Sequence, residues 1–280
     1  MKQRVLTAIA IVAVVIPVFI FSNTIEYPIV LSLLSLIAEF EMLRALGRHQ
    51  DFPVAIPAYL IAPAFPVIGY LWLEVWSRSA VDFLALLAAI LFAYLLYLFA
   101  LAVLRRGKTT FADLAETFVT AFYIIVSFTT LALVRYLENG VFYFGIPYIA
   151  AWVCDVFALF TGKFFGKHKL SPEISPKKTI EGAIGGTLFG TAALLVYGLI
   201  LQLAVGARPL YGRLILYGLL LTVAGQIGDL IASLIKREHA IKDYGKILPG
   251  HGGILDRFDS VIATSGVLAV LCIVFPPFAV

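Results

Sequence analysis

The sequence is poor in charged residues and in cysteine, and both shortages narrow the class of protein. Charged side chains make up 14% of the 280 residues, whereas a soluble domain usually carries about a quarter. Hydrophobic residues make up 61%, so the composition predicts an integral membrane protein. The two cysteines, Cys154 and Cys272, both lie in apolar runs, which argues against a disulfide framework and against a cysteine-based metal site.

Other absences exclude specific functions. The segment 245–251 has the glycine spacing of a P-loop but lacks the Gly-Lys-Ser/Thr ending and a preceding strand. His251-Gly252-Gly253 resembles an esterase oxyanion loop, yet the chain has no G-x-S-x-G nucleophile. No small-residue cleavage site follows the apolar run over residues 1–21, so we interpret this run as an uncleaved first helix.

Long apolar segments dominate what is present. A helix needs roughly 20 apolar residues to cross the hydrocarbon core. On that rule the sequence predicts an all-α polytopic membrane protein with about nine transmembrane helices, at 5–22, 28–46, 53–73, 82–104, 117–134, 141–161, 180–205, 212–234 and 260–277. The third contains Pro57, Pro63 and Pro66, which predict a kinked or re-entrant segment.

The basic residues predict the orientation. With the N-terminus in the cytoplasm and the C-terminus outside, 17 of the 21 lysines and arginines fall in cytoplasmic loops. Because these residues are confined to short loops between apolar runs, we expect a lipid bilayer and no nucleic acid as partner. The same count places the two long polar loops, near 162–179 and 236–259, on the cytoplasmic face of the cell membrane. We expect the active site to face the cytoplasm there.

The polar motifs divide the chain near Glu138-Asn139-Gly140. Residues 1–140 predict a scaffold of membrane helices with few internal charges beyond Glu39 and Glu41. Residues 141–280 predict membrane helices that carry the functional loops.

The first polar loop follows an acid within a predicted span. Asp155 is costly in that position, so it is a functional candidate, the alternative being a structural carboxylate paired with a neighbouring lysine. Further on, Ser175-Pro176-Lys177-Lys178-Thr179 precedes the seventh span. A helix start with two lysines can bind anions, but an ordinary capped helix with cytoplasmic lysines fits the pattern equally well.

Glycines recur at every fourth position on the seventh predicted span. Gly182, Gly186 and Gly190 form a small-xxx-small stripe, which indicates close helix packing rather than ligand binding. The stripe permits a helix-mediated homodimer and equally permits packing within one chain.

The second polar loop, residues 233–260, is the longest polar interruption of the sequence. Asp256 and Asp259 are three residues apart where the ninth span begins, so they can share a helix face. With Asp229 they can form a three-carboxylate magnesium site completed by water and phosphate oxygens. The alternative is a set of salt bridges to Arg237 and Arg257. His251, between glycines, can contact a phosphate or be a solvated loop histidine.

Together the two loops resemble the phosphatidate cytidylyltransferase (CDP-diacylglycerol synthase) family. Its signature runs S-x-x-K-R, K-D-x-G/S, then P-G-H-G-G-x-x-D-R-x-D. The matching residues are Ser233, Lys236, Arg237, Lys242, Asp243, Gly245, Pro249, Gly250, His251, Gly252, Gly253, Asp256, Arg257 and Asp259. The segment from Asp155 to Gly182 is also similar to the upstream loop of the family.

The resemblance implies a multi-pass enzyme that joins phosphatidic acid to CTP and releases pyrophosphate. In this interpretation Asp229, Asp256 and Asp259 hold one or two cations, including Mg²⁺, with Asp155 a weaker candidate. The bases expected to neutralise the phosphates are Lys236, Arg237, Lys242 and Arg257. The residues expected to bind substrate are Ser175, Lys177, Lys178, Thr179, Ser233, Lys242, Asp243, His251, Gly252 and Gly253.

Two other functions remain open at this point. A CTP-dependent polyprenol kinase would transfer the γ-phosphate and release CDP instead of pyrophosphate. An ion-coupled transporter would use Asp155 and Asp229 as carboxylates near the bilayer midplane, although the chain shows no inverted repeat.

Overall fold

Helices form most of the described chain. The computed structural model describes residues 16–105, 109–248, 250 and 252–279. In that part of the chain, 7 helices are long and apolar enough to cross a membrane. The chain divides into two compact units, residues 1–137 with 243–256, and residues 138–242 with 257–280. An all-α membrane protein is therefore confirmed, whereas the nine-span count and the positions of the termini stay predictions.

The described part of the first unit contains four long helices. They are α1 (Glu26–Ala45), α2 (Phe52–Tyr70), α3 (Ala80–Leu104) and α4 (Phe111–Leu133). A π-helical turn, Leu71–Val75, follows α2, and a 3-10 turn, Val134–Tyr136, follows α4. The predicted span at 5–22 lies mostly outside the described residues.

The interior of this unit is filled by apolar side chains from all four helices, including Leu43, Val54, Phe83, Leu91 and Ile125. Ala55, Ala58 and Ala62 share one face of α2 and are fully buried, so neighbouring helices can approach that face closely. The helix is continuous through its three internal prolines. Together with the π-helical turn that follows, it is long and apolar enough to cross a membrane.

Two ion pairs fix the loops of the first unit. Arg48 Nη2 lies 2.5 Å from Asp113 Oδ1, and Arg105 Nη1 lies 2.6 Å from Asp51 Oδ1. Asp113 also forms a capping box with Thr110 at the start of α4. The loop after α1 is thus tied to the start of α4, and the end of α3 is tied to the start of α2.

The second unit contains the remaining elements, except that the first two residues of α9 belong to the first unit. These elements are α5 (Gly140–Tyr143), α6 (Ile146–Phe165), β1 (Lys169–Ser171), β2 (Ser175–Thr179), α7 (Ile180–Val205), β3 (Arg208–Pro209), α8 (Tyr211–Glu238), α9 (Leu255–Val274) and β4 (Phe278–Ala279). Strands β1 and β2 form an antiparallel hairpin, and β3 pairs antiparallel with β4. The β3–β4 pair joins the α7–α8 connection to the segment that follows α9.

The predicted glycine stripe packs inside this unit. A Cβ on Gly182 would lie 2.7 Å from the carbonyl oxygen of Ala158, and one on Gly186 would lie 2.8 Å from that of Cys154. These distances are far below ordinary van der Waals contact, so α6 and α7 can approach only because the residues are glycine. The packing prediction is confirmed, and the homodimer stays a prediction.

Candidate active site

The polar segment between α6 and α7 folds into the β1–β2 hairpin, where the sequence pattern predicts only a loop. Lys169 is paired with Thr179, and Ser171 with Ser175. The turn contains Pro172 and Glu173. Ser-Pro at a turn start is the local signal that indicates such a reversal, although it does not by itself indicate two strands.

The first turn of α7 holds both ends of the hairpin. The Glu181 carboxylate accepts hydrogen bonds from the backbone N–H groups of Lys167, at 3.1 Å, and His168, at 3.2 Å. Thr179 is the N-cap of α7, and its Oγ1 accepts a hydrogen bond from the Gly182 N–H at 3.1 Å. The predicted capped helix start is therefore present, and it fixes β2 relative to α7.

The two lysines of β2 differ in their surroundings. Lys177 is exposed, whereas Lys178 is half-buried. The Lys178 Nζ lies 2.5 Å from Asp229 Oδ2 on α8, forming a salt bridge. The strand thus places one lysine of the pair against a carboxylate and leaves the other exposed with Ser175 nearby on the same strand.

Three aspartates from three helices come together in the second unit. We call Asp155 on α6, Asp229 on α8 and Asp259 on α9 the acid cluster. The charge of Asp229 acts on both Asp155 and Asp259, and Asp155 also acts on Asp259. Lys178 acts electrostatically on Asp155, and Lys236 acts on Asp259. Like charges that act on one another are unfavourable unless positive charge balances them, and Lys178 and Lys236 supply such charge here.

The end of α8 carries further predicted site residues. Ser233 lies one turn beyond Asp229 and is half-buried. The Arg237 Nε donates a hydrogen bond of 3.5 Å to the carbonyl oxygen of Ile174 in the hairpin turn. Lys242 follows the helix and is exposed. The bases of this region therefore lie on the α8 end and its following loop.

Residues 243–256, which we call the signature loop, belong to the first unit. The loop turns through Gly250 and Gly252, whose φ angles of 78° and 88° are in the left-handed region that glycine tolerates best. The Leu248 N–H donates to the Gly252 carbonyl oxygen at 3.0 Å and closes the turn. Asp243 is exposed at the start of the loop, and His251 lies outside the described residues.

Asp256 is bonded to the backbone of its own loop. Its Oδ2 accepts hydrogen bonds from the N–H groups of Tyr244, at 2.8 Å, and Gly253, at 2.9 Å. Asp256 and Asp259 lie on the same helix, α9, as predicted, and Arg257 between them is exposed. The roles predicted for Asp256 in metal binding and for Gly253 in phosphate binding stay predictions.

Sequence reasoning missed one residue of the signature loop's surroundings. Glu41 on α1 is fully buried and accepts hydrogen bonds from two backbone N–H groups of the loop. Its only sequence signal was an acid within an apolar helix, which indicates a function but no partner.

The acid cluster fits Mg²⁺ in its donor chemistry. Mg²⁺ prefers oxygen ligands and is usually held by one or two carboxylates together with waters and substrate phosphates. Among the described residues, no group of three His, Cys, Asp or Glu side chains is arranged to hold a metal ion directly. Magnesium binding by Asp229, Asp256 and Asp259 therefore stays a prediction.

An apolar cavity lies between α7 and α8. It has a volume of about 400 Å³, and its lining residues include Ile184, Leu188, Ile227 and Leu230. Leu230 is the neighbour of Asp229 in the chain, so the apolar cavity and the acid cluster share part of α8. At the cavity wall the Gln226 Nε2 donates to Thr187 Oγ1 at 2.9 Å.

Comparison with known proteins gives full-length similarity. The model of the "Cytidylyltransferase family" matches residues 2–275. A phosphatidate cytidylyltransferase of Bacillus subtilis (strain 168) is 35% identical over 282 residues, covering 98% of both chains. Phosphatidate cytidylyltransferases of Staphylococcus haemolyticus (strain JCSC1435) and Staphylococcus aureus (strain COL) are 33% and 34% identical, covering 98% of this chain and 99% of theirs.

These similarities run through both units, from the apolar helices of the first to the acid cluster of the second. The family signature over residues 233–259 falls within the matched range. The chain therefore belongs to the cytidylyltransferase family.

Proposed function

We propose that this chain is a phosphatidate cytidylyltransferase, which joins phosphatidic acid to CTP and yields CDP-diacylglycerol and pyrophosphate. The relatives described above are named phosphatidate cytidylyltransferase, and this chain is similar to them over nearly their full length. The observation that carries the proposal is the acid cluster with Lys178 and Lys236, built into a unit of apolar helices. Such a site offers opposite charges to a nucleotide triphosphate and its cation beside a lipid-facing helix bundle.

The proposed topology has nine spans, with the N-terminus in the cytoplasm and the C-terminus outside. The charge count supports it, because 17 of 21 basic residues then lie in cytoplasmic loops. The described helices supply seven of these spans by length and composition. The active site then faces the cytoplasm, where CTP is available, in the inner membrane.

In the proposed reaction an oxygen of the lipid phosphate attacks the α-phosphorus of CTP. The new P–O bond forms as the bond from the α-phosphorus to the bridging oxygen breaks, and pyrophosphate leaves with the electron pair. Such a step depends mainly on positioning and charge neutralisation. Lys178, which pairs with Asp229, and Lys236, which acts electrostatically on Asp259, would contact phosphate oxygens in this reaction.

Asp229 and Asp259 would hold Mg²⁺ in this proposal, with Asp155 close by. When bound, the ion would neutralise charge on the phosphate oxygens. Lys178 pairs with Asp229 through a 2.5 Å contact, so the salt bridge would open when a cation takes that carboxylate. Lys178 would then be free to bind a phosphate oxygen.

The apolar cavity between α7 and α8 supports a lipid substrate. Its lining is almost entirely aliphatic, with Thr187 and Gln226 as polar members that bond to each other. Leu230 in this lining follows Asp229 directly, so the cavity and the acid cluster lie at the same level of α8. We propose that phosphatidic acid approaches from the bilayer along this cavity.

The test is a product assay with detergent-solubilised protein. CTP labelled in the cytidine ring is incubated with phosphatidic acid and Mg²⁺, and the lipid fraction is extracted. We expect a lipid-soluble cytidine product together with one pyrophosphate per product. Label that stays in water-soluble CDP, with phosphate transferred to a polyprenol, would instead show a kinase.

A further inference from the structure

One glutamate of α1 reaches far along the chain to the signature loop. The Glu41 Oε1 accepts a hydrogen bond from the Ile254 N–H at 3.1 Å, and its Oε2 accepts one from the Leu255 N–H at 3.0 Å. These N–H groups lie at the start of α9, where a helix leaves its first donors unsatisfied and favours negative charge. Glu41 thus serves as the cap of α9, although it is 213 residues away from Ile254.

Two glycines of the loop make room for this carboxylate. A Cβ on Gly245 would lie 2.0 Å from Glu41 Oε1, and one on Gly253 would lie 2.4 Å from both carboxylate oxygens. No side chain can occupy those positions while Glu41 stays in place. The glycines of the signature loop therefore pack around Glu41.

A second residue of α1 bonds to a carbonyl group of the signature loop. Arg44, one turn beyond Glu41, donates a hydrogen bond to the Tyr244 carbonyl oxygen. The N–H of Tyr244 in turn donates to Asp256. Glu41 and Arg44 thus act on the same backbone that Asp256 organises.

A neighbouring glutamate shows that burial on α1 does not by itself mean contact with the loop. Glu39 is also fully buried, but neither of its carboxylate oxygens has a hydrogen-bond partner among the described residues. The two acids are two residues apart, so they point to different sides of α1. Glu39 is therefore a matched control for Glu41.

We propose that Glu41 is a positioning residue for nucleotide transfer, acting through the signature loop. By fixing the N–H groups of Ile254 and Leu255, it sets where the loop glycines and the start of α9 meet the substrate. The inference rests on the proposed function, because the loop needs a nucleotide to act on. In this inference, a residue of α1, outside the family signature, fixes the conformation of the signature loop.

The test is Glu41→Gln in the full-length protein. Glutamine keeps the volume, but its amide nitrogen cannot accept a hydrogen bond, so one backbone N–H loses its partner. We expect the KM for CTP to rise roughly 10-fold and kcat to fall roughly 10- to 100-fold, as for other residues that orient a site. Hydrogen exchange should become faster at the amides of Ile254 and Leu255. A purely structural defect would lower the active fraction without changing KM.

Glu39→Gln is the control, and both of its kinetic constants should match those of the wild-type protein. Unchanged KM and unchanged amide exchange in Glu41→Gln would overturn the inference. If the wild-type protein itself forms no cytidine lipid, the proposed function fails instead, and the exchange measurement alone then tests the link between Glu41 and the loop.

A second variant keeps the test decisive if Glu41→Gln does not fold. Arg44 is exposed, so Arg44→Gln removes the hydrogen bond to Tyr244 with little risk to the core. We expect a rise in the KM for CTP of about 2- to 5-fold and faster exchange in the loop. Wild-type values for both would overturn the inference.

Discussion

Aspartates in the two units are satisfied in opposite ways. In the signature loop, Asp256 is bonded to fixed backbone N–H groups. In the acid cluster, Asp229 is bonded to a lysine side chain and lies near two other acids. Backbone donors cannot leave, whereas a lysine can turn to another anion. The first arrangement therefore holds a shape, and the second can exchange partners during a reaction.

The largest expected effect comes from Asp229→Asn. It removes the central charge of the acid cluster and the charged partner of Lys178, whose Nζ is buried. We expect the rate of cytidine-lipid formation to fall about 100- to 1000-fold, as when other groups that stabilise transition-state charge are removed. The thermal unfolding midpoint should fall modestly, because a buried ammonium group loses its charged partner while asparagine keeps an oxygen acceptor for it.

Asp82→Asn is the control for that prediction, because Asp82 is an exposed acid in the first turn of α3. It should leave both activity and stability unchanged. Wild-type activity in Asp229→Asn would show that Asp229, although paired with a lysine side chain, takes no part in the reaction.

Asp256→Asn should affect both activity and stability. Its Oδ2 accepts two backbone hydrogen bonds, and weakening them costs about 1–3 kcal/mol in the free energy of unfolding. We expect activity to fall together with stability, as measured by product formation and by thermal unfolding in detergent. Full activity with unchanged magnesium dependence would rule out Asp256 as a metal ligand.

A smaller effect is expected for the lysines of β2. Lys178→Gln removes the partner of Asp229, so the KM for CTP should rise about 10-fold. Lys177→Gln, which alters the exposed neighbour, should raise it less. An equal rise in the KM for CTP in the two variants would show that the salt bridge between Lys178 and Asp229 does not contribute to CTP binding.

The smallest effect on chemistry is expected from the glycine stripe. Gly186→Ala places a Cβ 2.8 Å from a backbone oxygen of α6, so it should destabilise the protein by about 1–3 kcal/mol. Gly266→Ala, in α9 with open space around it, should instead be stabilising by up to about 1 kcal/mol. Thermal unfolding of the two variants measures the contrast.

Hydropathy predicted most of the helices because apolar length is a local property. The span at 82–104 corresponds to α3, Ala80–Leu104, and the span at 180–205 has the bounds of α7, Ile180–Val205. The segment at 28–46 is also helical, as α1, and it carries Glu39, Glu41 and Arg44 among its apolar residues. Local composition thus identified the helix and not the partner of its charges.

Site features that depend on neighbouring residues in the sequence were predictable, whereas contacts between distant residues were not. Thr179 as a cap and Gly182 as a packing glycine follow from adjacent residues. The contact of Glu41 with Ile254 joins positions far apart in the chain, and no pattern near either residue indicates it. The hairpin was missed because β1 and β2 are 3 and 5 residues long and mostly polar, so they lack a strand's apolar alternation.

The position of Thr179 decides which atoms of its segment are available to an anion. Its hydroxyl is enclosed by Gly162, Gly166 and Gly182, each of which would place a Cβ within 2.9 Å of Oγ1. This hydroxyl is enclosed on three sides and accepts a hydrogen bond from the Gly182 N–H, so it holds the start of α7 and has only its own hydrogen left to donate. In the proposed reaction, Lys177, Lys178 and Ser175 on the same strand would then supply most of the contacts to a phosphate, and the part of Thr179 in substrate binding stays a prediction.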